Sequence, residues 1–443
     1  MKRRKFTFIG SGSLGFTQDL VRDILSYDSF KDAEFALMDI HEGRLNYSRL
    51  AVEKLIKATG GKATVTATTN RREALKDADG VLITILQGGV DVWRHDIEIP
   101  KEYGIDICVG DTRGPSGIFR FLRTAPVMLD IIRDAEEVCP QAIVLNYTNP
   151  MAMLCAYLQK NSFMNITGLC HSVQGTADML ARWIGAPMSE ITYKCSGVNH
   201  QAFYLDFNWN GKDATPLIKE AILNRPEVRN EELVRNEMFL QLGYYPTESS
   251  GHDSEYVAWF RKRPDLIEKY CLPGTGWNPG AHAFILNEYI ETEVTWESKF
   301  KKKLDEEDVN LERGGEYAAN IFNAMFGDCT PYEFNGNIIN NGVISNLPAD
   351  ACVEVPMLAS RGEVRPFHAG PLPDNLAILI SNTAQCESLA VNAMMEGDGE
   401  KIYQSILFDP LTAAVLSMAE IREMTKRMFE QNKDFLTYFK TFP

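Results

Sequence analysis

The sequence has no long hydrophobic run and no extended basic tract. No stretch approaches the ~20 apolar residues that a membrane-spanning helix requires, so we expect no membrane association. The basic run Lys2–Lys5 is short, and the net charge is -15 over 443 residues. Such a charge would repel a phosphate backbone, so we expect no nucleic-acid partner either.

The cysteines lack the regular spacing of a disulfide framework. Nine of them, an odd number, are scattered over the chain, which is typical of a reducing compartment. The basic start is followed by an apolar run that breaks at Gly10, and this run is too short for the core of a secretion signal. We therefore predict a cytoplasmic protein, with two or three domains by its length.

A glycine-rich turn near the start predicts a dinucleotide site. The short strand Phe6–Ile9 leads directly into Gly10-Ser11-Gly12-Ser13-Leu14-Gly15, and Asp39 closes the next strand-like run. In such a site the first glycine permits a tight turn, the second lets the backbone approach a pyrophosphate, and the third lets helix and strand pack closely. A carboxylate after the second strand would hold a ribose hydroxyl and repel a 2′-phosphate, which favours NAD over NADP. The predicted cofactor-binding residues are Gly10, Gly12, Ser13, Gly15, Asp39 and Asn146.

Strand-like and helix-like stretches alternate up to about residue 200. This rhythm predicts an α/β fold with a Rossmann-like, doubly wound parallel sheet and helices on both faces. We assign residues 1–200 to a dinucleotide-binding domain and 201–443 to an α+β domain for substrate, metal and oligomerisation, with a soft boundary because no linker separates them. The second part is predicted to cover the cofactor face and to end in two helices, 374–397 and 411–430. The predicted strands of the first part are Phe6–Ile9, Glu34–Asp39, Thr64–Thr68, Gly80–Leu86, Ala142–Asn146, Ile166–Cys170 and Ile191–Val198.

Cys170 and His200 close two consecutive strands of this predicted sheet. Functional residues of such sheets lie at the carboxyl ends of strands, so one divalent ion would be within reach of both. A thiolate and an imidazole suit a borderline metal, and two protein ligands leave positions open for substrate oxygens. The alternative is a buried cysteine and a core histidine without a ligand, but the pair on one rim favours a metal site.

Two polar segments are expected to reach the same rim. Asn149 ends a strand directly before Pro150, which biases its backbone toward extended geometry and directs its amide across the rim. Asp111 lies in the polar loop Gly110–Pro115, which is rich in turn formers. Either residue could instead serve its local turn, Asn149 through the Asn-Pro pair and Asp111 as a cap.

These motifs resemble those of the family 4 glycoside hydrolases, the NAD- and divalent-metal-dependent glycosidases, and among them the members that act on α-galactosides. The resemblance runs along most of the chain and is most specific at Cys170–Gly175. It implies a fold similar to that of lactate and malate dehydrogenases. The matching segments are Ile9–Ser13 with Met38–Ile40, Asn146–Met153, Cys170–Thr176, Gly197–His200 and Val353–Pro356.

The resemblance implies hydrolysis through a transient oxidation, an exception to the usual scheme of two carboxylates. Bound NAD⁺ would take a hydride from C3 of the sugar, and the resulting ketone would make the C2 proton acidic. Mn²⁺ or another divalent cation would stabilise the enolate, elimination would expel the aglycone, and addition of water with return of the hydride would regenerate the cofactor. By the same resemblance Cys170 and His200 are metal ligands, and Asp111 and Asn149 contact the substrate, a small sugar.

The acid and the base of this scheme are assigned less directly. Some family members carry an Asp directly after the ligand cysteine and use it as the acid. His171 occupies that place here and is our candidate for the catalytic acid. Alternatively, His171 orients a neighbouring residue. Other members place a Tyr or Asp base three residues after a proline, where this chain has Ser249, which cannot take a carbon-bound proton unaided. We choose Tyr256 as the base. The other candidates nearby are Glu248, His252 and Asp253. For each of them a polar loop or a subunit contact is the alternative.

Two other functions share parts of this pattern. A dehydrogenase of 2-hydroxy acids would need an Asp-x-x-Arg arrangement where the chain has Cys170–Ala177, and no arginine precedes Arg182 there. A non-catalytic NAD-sensing regulator gives no reason for Cys170 and His200 to face one point.

The sugar itself is not determined by the sequence. An α-galacturonide, or another substrate of the family, would be cleaved by the same mechanism, and a phospho-sugar stays open as well. Arginines near the rim could bind such an anion or form structural ion pairs; they are Arg94, Arg113, Arg120 and Arg123. The family resemblance also implies a homodimer or a homotetramer.

Overall fold

A single mixed sheet runs through the protein in the computed structural model, which describes residues 2–306 and 308–443. Within this part of the chain the sheet has 13 strands. They are β1 (Lys5–Ile9), β2 (Glu34–Met38), β3 (Thr64–Thr68), β4 (Gly80–Ile83), β5 (Ile143–Asn146), β6 (Asn165–Gly168), β7 (Ile191–Val198), β8 (Gln201–Trp209), β9 (Lys212–Asp213), β10 (Tyr245–Pro246), β11 (Tyr332–Ile339), β12 (Cys352–Ser360) and β13 (Glu363–Pro366).

The first six strands form the parallel part of the sheet, in the order β3-β2-β1-β4-β5-β6. This is the strand order of the doubly wound dinucleotide-binding fold. Side chains of one strand enter two different apolar layers, Val81 and Ile83 on one face of β4 and Leu82 on the other. Because both of its faces are covered, β4 is apolar throughout. The predicted fold class is confirmed.

The strands of the C-terminal half extend the same sheet beyond β6. β11 pairs antiparallel with β6 through Asn337 and Gly168 and forms a hairpin with β12. β12 adjoins β7 through Glu354 and Gly197, and β7 forms a hairpin with β8. These strands therefore lie beside the dinucleotide-binding strands, and they do not form a separate layer over the cofactor face. The boundary at residue 200 falls in the turn between two strands of one sheet, and the division into two domains stays a prediction.

Helices pack against both faces of this sheet. They are α1 (Leu14–Leu25), α2 (Glu42–Thr59), α3 (Arg71–Leu75), α4 (Gly89–Glu102), α5 (Gly114–Val138), α6 (Met151–Asn161), α7 (Ser172–Ile184), α8 (Thr215–Asn224), α9 (Pro226–Glu231), α10 (Leu233–Leu242), α11 (Ser250–Tyr256), α12 (Pro264–Leu266), α13 (Phe284–Glu306), α14 (Tyr317–Phe326), α15 (Asp374–Glu396), α16 (Gly399–Leu407), α17 (Pro410–Val415) and α18 (Met418–Gln431). Among the helices of the described residues, none combines the length and the hydropathy that crossing a bilayer requires.

Most predicted strands agree with the structure to within two residues at each end, but two predicted elements differ more, for local reasons. The helix predicted over 411–430 is two helices, because Ser417 opens α18 with a capping box to Glu420. The strand predicted as Gly80–Leu86 ends at Ile83. The chain leaves the sheet there and enters α4 through Gly88 and Gly89, which both have left-handed backbone conformations.

Gly10 and Gly15 differ in what an added methyl group would meet. Gly10 has a φ of +85°, and its Cβ would overlap the carbonyl oxygen of Thr84. At Gly15 a Cβ would meet no atom within 4 Å, so the prediction that this glycine lets helix and strand pack closely is wrong. We expect Gly10→Ala to lower the free energy of unfolding by at least about 2 kcal/mol, and Gly15→Ala, inside α1, to raise it by up to about 1 kcal/mol. Denaturant unfolding of both variants measures this, and equal stabilities would contradict it.

Candidate active site

The glycine-rich turn lies at the carboxyl end of β1 and leads into α1. Gly10 and Ser11 both donate backbone hydrogen bonds to the carbonyl oxygen of Met38, at 2.9 and 3.0 Å, which anchors the turn to β2. Ser13 precedes α1 without capping it through its side chain, and the first helical turn carries no acidic residue. The first amides of α1 thus remain available to an anion, as a dinucleotide pyrophosphate requires.

Asp39 follows β2 beside this turn. Its carboxylate accepts hydrogen bonds from the amides of Gly12 at 2.7 Å and His41 at 2.8 Å. A Cβ on Gly12 would lie 2.6 Å from that carboxylate, so only glycine lets the backbone of residue 12 come this close to Asp39. The side chain of Asn146 is buried and bound at both ends to the backbone of Thr148. The structure thus places Asn146 in the turn after β5, and its contact with a cofactor stays a prediction.

Three side chains from separate segments meet where β6 and β7 end. Cys170, His200 and Glu248 each offer one ligand atom, and these atoms lie within 4.8 Å of one another. All three residues are buried, and burial raises the pKa of the Cys170 thiol well above its ordinary value. A thiolate, an imidazole and a carboxylate form a donor set for a divalent metal of intermediate softness. The two residues predicted as metal ligands are therefore brought together, and a carboxylate joins them.

His200 is held in an uncommon backbone conformation in the turn between β7 and β8. Its φ of +60° lies in the left-handed region that few residues other than glycine adopt. Such strain persists where the surrounding structure enforces it, often at functional sites. Burial is the main cause that lowers the pKa of His200 to about 4, so its ring is neutral near pH 7. A neutral imidazole keeps the lone pair that a metal ligand needs.

Asp111 and Asn149 meet next to these three residues. Nδ2 of Asn149 donates to Oδ2 of Asp111 at 3.1 Å, and Nε2 of His252 lies 3.8 Å from Oδ1 of Asp111. Burial raises the pKa of Asp111, but His252, His200 and Arg120 outweigh burial and hold the value at about 2. An ionised carboxylate beside a side-chain amide suits the hydroxyl groups of a sugar. The two predicted substrate contacts are thus adjacent, and their role stays a prediction.

His171 follows Cys170 but makes its contacts elsewhere. Its Nδ1 lies 2.7 Å from Oε1 of Glu316, and its ring stacks on Tyr147 with centroids 5.9 Å apart. Partial desolvation lowers the pKa of the half-exposed His171 side chain, but the Glu316 carboxylate outweighs this effect and raises the pKa above its ordinary value. A raised pKa favours the protonated imidazole, which is the form that a general acid requires. The catalytic role of His171 stays a prediction.

Tyr256, at the end of α11, is fully buried close to His200. Its hydroxyl lies 3.5 Å from Nδ1 of His200, and the guanidinium of Arg113 lies 4.3 Å from its ring centroid. Burial is the main cause that raises the pKa of Tyr256 well above its ordinary value, and Arg113 lowers it in part. Tyr256 is therefore within reach of the site, and its role as the base stays a prediction.

The neighbouring candidates for the base have other surroundings. Glu248 faces His200, and Ser249 caps α11 while its hydroxyl lies 2.7 Å from Nδ1 of His252. Asp253 is buried, and in the described part of the chain neither of its carboxylate oxygens has a hydrogen-bond partner. Burial raises the pKa of Asp253 well above its ordinary value. Burial raises the pKa of Tyr256 in the same direction, so the pKa shifts do not distinguish these two candidates for the base.

Most of the arginines near the rim are used in ion pairs. Nη2 of Arg113 lies 3.1 Å from Glu387, and Arg123 forms a fully buried pair with Asp96 at 2.5 Å. On the surface, Arg94 faces Glu98 at 3.5 Å. Arg120 differs from them. It donates from Nε to the carbonyl oxygen of Asn149 at 3.2 Å, and within residues 2–306 and 308–443 it pairs with no carboxylate.

Two partners of His200 were not predicted from the sequence. Glu248 was considered as a base and not as a metal ligand, and Thr112, whose hydroxyl lies 2.7 Å from Nδ1 of His200, was not considered at all. Both belong to segments that the sequence already marked as polar. Neither has a spacing to Cys170 or His200 that would indicate contact, because both approach from outside the parallel strands.

Family models match nearly the whole chain. The model of the family 4 glycosyl hydrolases matches residues 5–186, and the model of their C-terminal domain matches residues 195–412. An α-galactosidase of Bacillus subtilis (strain 168) is 36% identical over 444 residues, which cover 99% of this chain and 100% of that protein. An α-galacturonidase of Thermoanaerobacterium saccharolyticum is 29% identical, with 98% and 96% covered.

A solved structure shares the fold over the same extent. It is a 6-phospho-α-glucosidase from gut microorganisms in complex with NAD and Mn²⁺, with a TM-score of 0.82, 20% sequence identity, and coverage of 98% of this chain and 99% of that chain. The family models and the full-length relative confirm the resemblance seen in the motifs. The chain therefore belongs to the family 4 glycosyl hydrolases.

Proposed function

We propose that the protein hydrolyses α-galactosides with the help of bound NAD and a divalent cation. The observation that carries the proposal is the convergence of Cys170, His200 and Glu248 at the rim of a dinucleotide-binding sheet. The α-galactosidase relative is 36% identical over its whole length, and the α-galacturonidase relative is 29% identical. We therefore favour a galactoside over a galacturonide.

The residues present fit both groups. When bound, NAD would accept and return a hydride, and the cation, for which we choose Mn²⁺, would act as a Lewis acid on sugar oxygens. The glycine-rich turn and Asp39 would hold NAD, and Cys170, His200 and Glu248 would hold the cation. Nε2 of His200 and Oε2 of Glu248, which are 3.4 Å apart, are both acceptors when the imidazole is neutral and protonated at Nδ1. A bound cation would relieve their repulsion.

The remaining site residues would orient the sugar and move protons. Asp111 and Asn149 would bind its hydroxyl groups, because their side chains lie together next to the metal ligands. Tyr256 would remove the C2 proton, with Arg113 above its ring favouring the phenolate. His171, paired with Glu316, would give a proton to the leaving group.

A panel of p-nitrophenyl glycosides tests this function. Under reducing conditions we expect cleavage of the α-galactoside to need both NAD⁺ and Mn²⁺, with a loss of at least about 1000-fold when either is removed. Full activity of enzyme freed of NAD and stripped by a chelator would contradict the proposal. If the α-galacturonide or a 6-phospho sugar is cleaved faster, the proposed mechanism stands but the substrate class is not the α-galactosides.

We also propose a cytoplasmic location and a homodimer or homotetramer. All nine cysteines are free thiols, which supports a reducing compartment. The small-molecule partner is the sugar substrate. Light scattering after size-exclusion chromatography measures the oligomeric state.

A further inference from the structure

The hydroxyl of Thr112 joins Asp111 to His200. Oγ1 of Thr112 donates to Oδ1 of Asp111 at 2.6 Å and lies 2.7 Å from Nδ1 of His200. Thr112 is only 1% exposed, so bulk water does not compete for these hydrogen bonds. The three groups form a chain, partly buried at Asp111 and buried at Thr112 and His200, that ends at a predicted metal ligand.

The carboxylate sets the direction of both hydrogen bonds. An ionised carboxylate only accepts, so the hydroxyl of Thr112 gives its single proton to Asp111. Oγ1 can then only accept from His200, which places the proton of the neutral imidazole on Nδ1. In the reverse order, two sets of lone pairs would face each other at 2.6 Å between Thr112 and Asp111.

A proton on Nδ1 leaves Nε2 of His200 with its lone pair. Nε2 faces Oε2 of Glu248 at 3.4 Å, on the side of the ring where the proposed cation would bind. The other tautomer would direct an N–H at that point and prevent ligation. The hydroxyl of Tyr256 also approaches Nδ1, but at 3.5 Å it is the more distant partner.

We propose that Thr112 is a positioning residue for the metal site, fixing the tautomer and the ring orientation of His200 so that Nε2 can bind the cation. The inference depends on the proposed function, which assigns His200 to the metal. It also gives Asp111 a second task, because the carboxylate proposed to bind the sugar anchors the metal ligand as well.

Thr112→Val tests the inference, because it removes the hydroxyl at nearly unchanged volume. We expect the dissociation constant for Mn²⁺, measured by competition with a fluorescent chelator, to rise by about 10- to 100-fold. Thr112→Ser keeps the hydroxyl and should bind Mn²⁺ nearly as wild type does. Thr425→Val is the matched control: Thr425 is fully buried, and its hydroxyl donates only to the carbonyl oxygen of Ile421.

The outcomes separate this inference from the proposed function. Wild-type protein that binds no Mn²⁺ would overturn the proposed function, whereas a wild-type constant in Thr112→Val would overturn only the role of Thr112. Equal weakening in the valine and serine variants would overturn it too, since the serine keeps the hydroxyl. If Thr112→Val does not fold, Thr112→Ala takes its place and must show the same weakening. At saturating Co²⁺, a thiolate charge-transfer band in the Thr112→Val protein would confirm that Cys170 still binds the metal in this variant.

Discussion

Cys170→Ser is expected to lower kcat/KM by about 1000-fold or more while the protein stays folded. A hydroxyl is a harder and far less acidic ligand than a thiol, so it does not replace a thiolate at a metal of intermediate softness. A Lewis acid contributes several kcal/mol to a transition state, and about 4 kcal/mol corresponds to a factor of about 1000. Steady-state kinetics with p-nitrophenyl α-galactoside measures the loss.

The matched control for this variant is Cys195→Ser. Cys195 is also a fully buried thiol, on β7, and in the described part of the chain it belongs to no group of candidate metal ligands. Isothermal titration should show a weakened Mn²⁺ affinity only in Cys170→Ser, and NAD binding should survive in both variants. An unchanged Mn²⁺ affinity in Cys170→Ser would remove the thiol from the metal site.

Tyr256→Phe is expected to lower kcat by about 100-fold or more, because a positioned general base contributes about 10²- to 10⁴-fold. The affinities for NAD and Mn²⁺ should change little, since the ring that packs against the guanidinium of Arg113 is kept. Wild-type turnover in D₂O should place deuterium at C2 of the product. In Tyr256→Phe the rate of this incorporation, followed by NMR, should fall together with kcat.

Tyr245→Phe serves as the control for the loss of a buried phenol. Tyr245 is 2% exposed, and its hydroxyl lies 3.0 Å from Oδ1 of Asn236. Wild-type rates and exchange in Tyr256→Phe would exclude Tyr256 as the base and turn attention to His252, whose Nε2 faces Asp111. Product without deuterium at C2 from the wild-type enzyme would contradict the elimination route, provided that the proton is not returned in a shielded site.

The dinucleotide-binding half was predictable because its signals are local. A buried parallel strand is a short apolar run in the sequence. The glycine that follows β1 marks a turn, and in the structure this residue, Gly10, has the φ of +85° that glycine tolerates. The C-terminal half was less predictable, because its strands pair across large sequence distances. Nothing near Asn337 indicates that β11 pairs with β6, and this pairing decides that the strands of the second half lie beside those of the first.

The residues of the site also divide into those that could be predicted from the sequence and those that could not. Cys170 and His200 could be paired from the sequence because both follow strands of one sheet, and the carboxyl ends of such strands share an edge. Glu248 and Thr112 reach His200 from loops, whose course depends on tertiary packing. The partners of the arginines also depend on tertiary packing and could not be predicted. Only the structure shows that Arg123 forms an ion pair with Asp96, whereas Arg120 donates to a backbone carbonyl.

The uninterrupted sheet restricts how the enzyme can move. Backbone pairing continues from β6 through β11 and β12 to β7, so the segments that carry Cys170 and His200 are tied into one hydrogen-bonded frame. Enzymes that open and close by hinge bending need a few residues that absorb the rotation between rigid bodies. A hinge between β6 and β11 or between β12 and β7 would break the residue pair that joins the strands there, so we expect entry of the sugar and release of the products to depend on loops and side chains above this frame.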